Sequence, residues 1–367
     1  LSVKSKEALR QISDYTPARS LESVRRELGL TKIIKLSGNE NSLGCSPLAK
    51  EAIRGAFDEL SYYPDGNCTK LRERLADKLG IEKNQLVFGD GSFELLSLIA
   101  QAYISPGDEA VVPEPTFSWY KIATWEMDGR VVPVSLKNHK IDLGAVFQRL
   151  TEKTRVVWLC NPNNPTGSFF DKGELTRFLG ELPGNVLAVL DEAYFEYVDD
   201  ESYPQSVKLL GRFPNLIVLR TFSKVYGLAS LRIGYGIASP DIIAALNKIR
   251  PPINVSTPAQ AAALASLDDA EFKEKVLENN RRGKRLYYST LQKWGVEYIP
   301  TECNFIMLRA GVDSGSAVKE FLKRGVLIRG GDEFGMPQWL RITIGTYDEN
   351  TRVLDILRGI LAENGLL

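Results

Sequence analysis

The residues of this chain that could do chemistry gather around one lysine. Lys224 stands within Thr221-Phe222-Ser223-Lys224-Val225-Tyr226-Gly227-Leu228-Ala229-Ser230-Leu231-Arg232, just after the apolar run Leu216 to Leu219, with hydroxyls before it and Arg232 eight positions on. Hydroxyls and a guanidinium are groups that gather a phosphate. A lysine in a largely desolvated, cation-bearing site has its amine pKa pushed below the free value of ~10.4. Such an amine can form a Schiff base with an aldehyde. Read alone, the segment is as well explained by a surface lysine in a loop before a helix.

Two upstream segments shift that balance. Val186 to Leu190 is an unbroken apolar run of the kind expected in a buried parallel strand, and Asp191-Glu192-Ala193-Tyr194 ends it. Ligands of open α/β sheets bind at the carboxyl ends of the strands, so Asp191 lies where chemistry usually happens. A carboxylate there can hold a pyridine nitrogen protonated and make the ring a better electron sink. Val156 to Cys160 is a second such strand, followed by Asn161-Pro162-Asn163-Asn164-Pro165-Thr166-Gly167, whose two prolines and glycine enforce a fixed, non-helical turn. The blander reading makes Asp191 a helix cap and the Asn-Pro run a turn alone.

Taken in order, Asn-Pro-Thr-Gly, Asp-x-x-Tyr and Ser-Lys-x-x-x-Leu-x-x-x-Arg resemble the class I/II (fold type I) aminotransferases that depend on pyridoxal 5'-phosphate (PLP), over nearly the whole chain. The resemblance implies PLP as cofactor, with Lys224 joined to its aldehyde carbon and Asp191 paired with its ring nitrogen. Asn164 and Tyr194 would hydrogen-bond the phenolic oxygen, and Thr221, Ser223 and Arg232 would hold the phosphate. Lys224, Asp191 and Tyr194 are the implied catalytic residues. Gly89-Asp90-Gly91-Ser92-Phe93-Glu94 looks like the family's phosphate-cradling turn, placing Gly91, Ser92 and Phe93 at the start of a helix, where backbone N–H groups attract anions. Phe117 matches the aromatic residue that stacks on the pyridine face.

Further segments resemble the histidinol-phosphate aminotransferases: Leu36-Ser37-Gly38-Asn39-Glu40-Asn41-Ser42-Leu43-Gly44, Tyr62-Tyr63-Pro64-Asp65, Tyr15-Thr16-Pro17-Ala18-Arg19 and Arg250-Pro251-Pro252-Ile253-Asn254-Val255-Ser256. That likeness implies transamination of L-histidinol phosphate with 2-oxoglutarate, giving imidazole-acetol phosphate and glutamate in histidine biosynthesis. It further implies a homodimer in which Tyr63 reaches across the interface to the cofactor phosphate. Tyr15, Arg329 and Arg341 match positions that hold the substrate phosphate, while Asn39 and Glu40 lie near the bound substrate. Arg329 and Arg341 also stand out without the resemblance: one ends a short strand, the other opens one, and Arg suits bidentate recognition of phosphate or carboxylate. Two departures are visible. Ser42 stands where proline is usual, and Phe93 follows the Gly-Ser pair where an acidic residue is common. The same scaffold serves aromatic or broad-range amino-acid donors, which is the leading alternative. An amino-acid-phosphate decarboxylase fits less well, since its relatives carry a histidine where this chain reads Gly38-Asn39-Glu40-Asn41.

Composition excludes other classes. Lys plus Arg and Asp plus Glu both number 46, a formal net charge of zero, so there is no electrostatic case for nucleic acid. No apolar run reaches membrane-span length and no signal-peptide pattern opens the chain. The four cysteines (Cys45, Cys68, Cys160, Cys303) are scattered without a C-x-x-C pair, which suits a reducing cytoplasm. The single histidine, His139, falls in the polar stretch Lys137 to Lys140, which makes zinc catalysis and Ser-His-Asp chemistry poor expectations; no metal is expected. No G-x-G-x-x-G follows an early strand, as a nicotinamide enzyme of this pattern would need.

The elements that must position these residues follow from hydrophobic patterning. Short apolar strands at 85–88, 109–113, 130–135, 154–160, 185–191, 215–220 and 232–238 alternate with amphipathic helices, which predicts an α/β fold: a mostly parallel mixed sheet sandwiched by helices. A long helix is expected from Pro258. Strands at 296–299, 304–308, 326–329 and 340–344 predict a smaller α+β unit. The expected division is an N-terminal arm over 1–35 packing with the small domain (helical at 4–12 and 21–28), a large PLP-binding domain over 36–255, and a small C-terminal domain over 256–367.

Overall fold

The computed structural model of the chain describes residues 3–12, 21–29 and 32–367. Among the described residues thirteen strands run in chain order as β1 (Ile34–Lys35), β2 (Leu86–Asp90), β3 (Glu109–Glu114), β4 (Arg130–Ser135), β5 (Thr154–Cys160), β6 (Leu187–Asp191), β7 (Leu216–Thr221), β8 (Ile233–Ala238), β9 (Tyr298–Ile299), β10 (Phe305–Arg309), β11 (Val326–Leu327), β12 (Arg329–Gly330) and β13 (Trp339–Thr343). Seven of them form the main sheet in the order β2-β8-β7-β6-β5-β3-β4. Strand β8 is antiparallel to both its neighbours and the other pairs are parallel.

The continuous apolar runs explain this sheet. All of β6 and β7 is buried. Successive residues feed opposite faces: Ala188 and Leu190 join one hydrophobic cluster with Leu175, Phe178 and Ala259, while Leu187 and Val189 join another with Leu95, Ile99 and Tyr120. The first face is covered by helices Thr69–Leu79, Lys172–Glu181 and Thr257–Ser266, the second by Gly91–Tyr103, Trp119–Glu126 and Pro240–Ile249. Each fully buried Leu or Val contributes about 1.5–3 kcal/mol, so two-sided burial selects parallel strands with no polar interruption until the carboxyl end. Polarity returns there, and register aligns the ends: Cys160 of β5 pairs with Asp191 of β6, and Asp191 with Leu219 of β7.

The second sheet is antiparallel, β12-β13-β10-β9, and its core includes Tyr287 and Leu291 of helix Ala270–Trp294, Phe321 of Ser314–Lys323 and Val353 and Leu357 of Tyr347–Glu363. Strand β1 joins this region through a parallel ladder with β11.

Several expectations are corrected. The 4–12 segment is a short 3-10 turn, Glu7–Gln11, lying against helix Trp119–Glu126 of the main sheet, whereas Leu21–Leu28 is helical as expected. The helix expected from Pro258 is two helices, because Asp269 caps a new start by accepting the Phe272 N–H at 3.0 Å. The strand expected at 326–329 is split at Ile328, so that β11 pairs with β1 and β12 with β13. Among the described residues no helix is long and apolar enough to cross a membrane, and no group of metal-ligating side chains is found.

Candidate active site

One cavity of about 400 Å³ opens between the carboxyl ends of β5 to β7 and the small sheet, lined by residues of both. Asp191, the last residue of β6, is buried at its floor. Its Oδ2 accepts the Tyr120 hydroxyl at 2.9 Å and its Oδ1 accepts the Ala193 N–H at 3.1 Å. Burial pushes this carboxyl up to about 6, against those two hydrogen bonds and the nearby Lys224 charge, which pull it down. Lys224 follows β7 and its Nζ donates to the Gly38 carbonyl at 3.3 Å. Loss of hydration lowers its amine to about 8, and the Arg341 and Arg232 charges act in the same direction against Glu40 and Asp191.

Asn164 and Tyr194 flank this floor and both are buried. Arg341 Nη1 donates to Asn164 Oδ1 at 2.6 Å. A guanidinium only donates, so this bond fixes the amide and leaves its NH₂ half available to a ligand. The Tyr194 hydroxyl accepts from Asn39 Nδ2 at 2.9 Å.

At the opposite end of the floor the polar groups form an anion cup. Thr221 Oγ1 and Ser223 Oγ are 3.0 Å apart, and Arg232 Nη1 approaches Ser223 Oγ at 3.5 Å. Arg232 Nη2 reaches the Asp90 carbonyl at 3.4 Å, beside the start of helix Gly91–Tyr103. Gly91 has φ +71°, and a Cβ added to it would lie 2.1 Å from Arg232 Nη2. The positive φ favours glycine, and a side chain here would push the Arg232 guanidinium aside. Ser92 lines the cavity, and the free N–H groups of this 13-residue helix supply further donors.

The small sheet supplies the remaining wall. Arg329 and Arg341 are cross-strand partners on β12 and β13. Like charges directly opposite are unfavourable unless something negative lies between or beside them. Part of that compensation comes from Glu333, whose Oε2 is 2.7 Å from Arg329 Nη2. Arg341 is buried, and burial and Arg329 lower its pKa to about 10, leaving it charged near neutrality. The Nε atoms of both arginines are buried and without a hydrogen-bond partner.

Of the residues singled out in the sequence, Lys224, Asp191, Tyr194, Asn164, Thr221, Ser223, Arg232, Ser92, Phe93, Phe117, Asn39, Glu40, Arg329 and Arg341 all line this cavity. Gly91 adjoins it. Phe117 meets Tyr120 edge-on with ring centroids 5.6 Å apart. Phe93 is partly exposed, its ring 4.1 Å from that of Trp119. Asn39 lines the cavity, yet its four polar atoms all have protein partners. Tyr63 is 86% exposed and not brought to the cavity within one chain. Tyr15 lies outside the described residues.

The sequence reading missed three contributors. Tyr120 holds Asp191 and stacks on Trp158 at 5.5 Å, yet nothing in Ser118-Trp119-Tyr120 reveals its partner. Cys160 lines the cavity beside Asp191, its thiol pushed up to about 12 by burial. Glu333 had a signal, its spacing of four from Arg329.

A lysine, a buried carboxylate and an anion cup at the carboxyl ends of a mixed α/β sheet agree with the family match. The model of the aminotransferases of class I and II matches residues 31–357, and the chain belongs to that family. Its similarity extends to individual relatives. It is 45% identical to the histidinol-phosphate aminotransferase of Caldicellulosiruptor saccharolyticus, over 97% of this chain and 99% of that protein. It is 47% identical to that of Moorella thermoacetica, over 98% of this chain and 93% of the relative. Among solved structures, the histidinol-phosphate aminotransferase of Sinorhizobium meliloti in complex with pyridoxal-5'-phosphate superposes with a TM-score of 0.89 at 27% identity, covering 99% of each chain.

Proposed function

We propose that the chain is a PLP-dependent transaminase that moves the amino group of L-histidinol phosphate to 2-oxoglutarate, yielding imidazole-acetol phosphate and glutamate in histidine biosynthesis. The observation that carries this reading is a single cavity holding the Lys224 amine, the Asp191 carboxylate, an anion cup and, across from them, a pair of arginines. The near full-length likeness to enzymes of that name supports the choice of substrate.

The residues suit PLP. Gly91 leaves room where a side chain would fill the cup against Arg232, and Thr221, Ser223 and the helix start offer donors to a phosphate. Asp191 is a buried carboxylate in need of a positive partner, which a protonated ring nitrogen would provide. When bound, PLP supplies a carbonyl carbon for an amine and a ring that takes up electron density. Lys224 Nζ, neutral in useful fraction because its pKa is near 8, would take the proton from the donor's Cα and deliver it to the carbon that the cofactor's carbonyl supplied. Asp191 would hold the cofactor's ring nitrogen protonated, with Tyr120 and the Ala193 N–H fixing its two oxygens. Asn164 and Tyr194 would hydrogen-bond the phenolic oxygen, Phe117 would cover a ring face, and Ser92 and Phe93 would stand at the cup.

Arg341 and Arg329 receive the substrate phosphate, and Arg341 also takes a carboxylate of 2-oxoglutarate, since a guanidinium fork fits either anion; the family resemblance assigns Tyr15 to the same phosphate. Both arginine side chains line the cavity, which supports that role. Glu40 lies beside the substrate end of the cavity. The active form in this reading is a homodimer in which Tyr63 completes the partner's phosphate cup. Phe57, Leu60, Tyr62 and Tyr63 expose apolar surface in one stretch, and Ile253 packs close to Gly66 next to it. The four free cysteines support a cytoplasmic location.

A glutamate-release assay with 2-oxoglutarate as acceptor tests the reading. kcat/KM for L-histidinol phosphate should exceed that for L-phenylalanine by at least about 100-fold, the effect of two charge-assisted hydrogen bonds. Preference for phenylalanine would move the chain to the aromatic donors, a reading that the Phe93 and Phe117 rings lining the cavity favour.

A further inference from the structure

Asn39 is 1% exposed and has φ 55°, a left-handed conformation that asparagine tolerates better than most residues. Its N–H donates to Thr343 Oγ1 at 2.9 Å and its carbonyl accepts from Asn304 Nδ2 at 3.0 Å. Its side-chain Oδ1 accepts the Thr343 hydroxyl at 3.3 Å, and its Nδ2 donates to the Tyr194 hydroxyl at 2.9 Å. Asn39 therefore ties the end of β13 and the start of β10 to a tyrosine at the end of β6.

The direction of the bond to Tyr194 follows from the others. Thr343 Oγ1 already accepts the Asn39 N–H, so its own hydrogen needs an acceptor, and among the described residues Asn39 Oδ1 is the one in place. Turning the amide over would strand that buried hydroxyl hydrogen, at about 1–3 kcal/mol. With the NH₂ group donating to it, the Tyr194 oxygen acts as acceptor on the Asn39 side. The phenol's single hydrogen is left for the cavity.

We infer that Asn39 is a positioning residue that sets the donor direction of the Tyr194 hydroxyl, so that Tyr194 offers a proton to an anionic oxygen in the cavity. The inference rests on the PLP reading, in which that oxygen is the ring's phenolate, and departs from the expectation that Asn39 contacts substrate. The adjoining carbonyls serve neighbouring groups: Ser37 O accepts from Arg341 at 2.9 Å and Gly38 O from Lys224 at 3.3 Å. The 37–39 segment thus addresses three cavity side chains in succession.

Asn39→Asp is the diagnostic change. It is nearly isosteric, tolerates the left-handed backbone, keeps an acceptor for Thr343 and replaces the donor facing Tyr194 with an acceptor, which draws the phenol's proton away from the cavity. The PLP dissociation constant, measured by fluorescence quenching of the full chain, is compared in wild type, Asn39→Asp, Tyr194→Phe and the double variant. Asn39→Asp should weaken PLP about tenfold or more when Tyr194 is present, the effect of one hydrogen bond to a charged group. In the Tyr194→Phe background the same change should cost less than about threefold, because the hydroxyl it redirects is gone. Equal losses in both backgrounds would overturn the inference, since a merely structural role is indifferent to that hydroxyl. If Asn39→Asp does not fold, Asn39→Gly, suited to the same backbone, replaces it in the cycle with the same expected dependence on Tyr194. A wild type that binds no PLP would remove the functional reading itself; a wild type that binds PLP without coupling would remove only the role of Asn39.

Discussion

The two walls of the cavity are built on different terms. The main-sheet wall ends three mutually parallel strands, and apart from its anion cup its groups are buried and already hydrogen-bonded: Asp191 to Tyr120 and Ala193, Tyr194 to Asn39, Asn164 to Arg341. The small-sheet wall hangs on β12, two residues long, and β13, with two opposed arginines, two partnerless Nε atoms and one half-exposed ion pair. A wall satisfied in advance fixes geometry and tunes protonation. A wall left partly unsatisfied waits for an anion. Bond-making chemistry belongs to the first and choice of substrate to the second, so damage to the first should appear in kcat and damage to the second in KM.

Substitutions can break that contrast, beginning with the largest effect. Lys224→Ala removes both the amine that captures the cofactor and the proton carrier, and kcat should fall at least about 10³-fold. Near-normal glutamate release from this variant would dissolve the assignment. Asp191→Asn keeps the shape but loses the charge, and a fall in kcat of about 100-fold or more is expected with a smaller change in KM; the reverse pattern would place Asp191 on the substrate side. Arg341→Lys should raise KM for both L-histidinol phosphate and 2-oxoglutarate by about tenfold with a smaller change in kcat, because an ammonium cannot reproduce the fork. A rise for one substrate only would show that the two anions do not share it.

Protonation sharpens the contrast further. The Lys224 amine is depressed from its ordinary value to about 8, by burial first and by Arg341 next. Only the neutral amine attacks an aldehyde. The rate at which cofactor-free protein takes up PLP should therefore climb about tenfold per pH unit below pH 7 and level off above pH 9. A climb continuing to pH 10 would mean that the amine is not depressed. The smallest effect is on the substrate side: Glu333→Gln frees Arg329 from its ion pair, and KM for L-histidinol phosphate should drop about two- to fivefold, as suits a half-exposed pair. An unchanged or higher KM would show that Glu333 does not compete with the substrate for Arg329.

The sequence was most legible where local pattern and chemistry coincide. The apolar runs of β5, β6 and β7 announce both strand and carboxyl end, so Asp191 and Lys224 stood out without their neighbours, while Asn164 within the turn after β5 was singled out by the family resemblance. What escaped depends on pairs distant along the chain. Tyr120 reaches Asp191 across 71 positions, and Asn39 meets Thr343 across 304. No spacing rule encodes such contacts; the resemblance places Asn39 near the substrate, and the fold shows its polar atoms engaged by protein. Boundaries failed for local reasons: Asp269, whose capping is visible only with the backbone in place, divides an expected single helix, and Ile328 divides a strand whose halves pair with different partners.

The most direct test mixes PLP-loaded protein with stoichiometric L-histidinol phosphate, without an acceptor, and follows the cofactor's absorbance as it passes to pyridoxamine phosphate. Complete conversion in one turnover, with L-phenylalanine at the same concentration giving little, is the predicted result. No conversion by the phosphate ester, or faster conversion by phenylalanine, would contradict it.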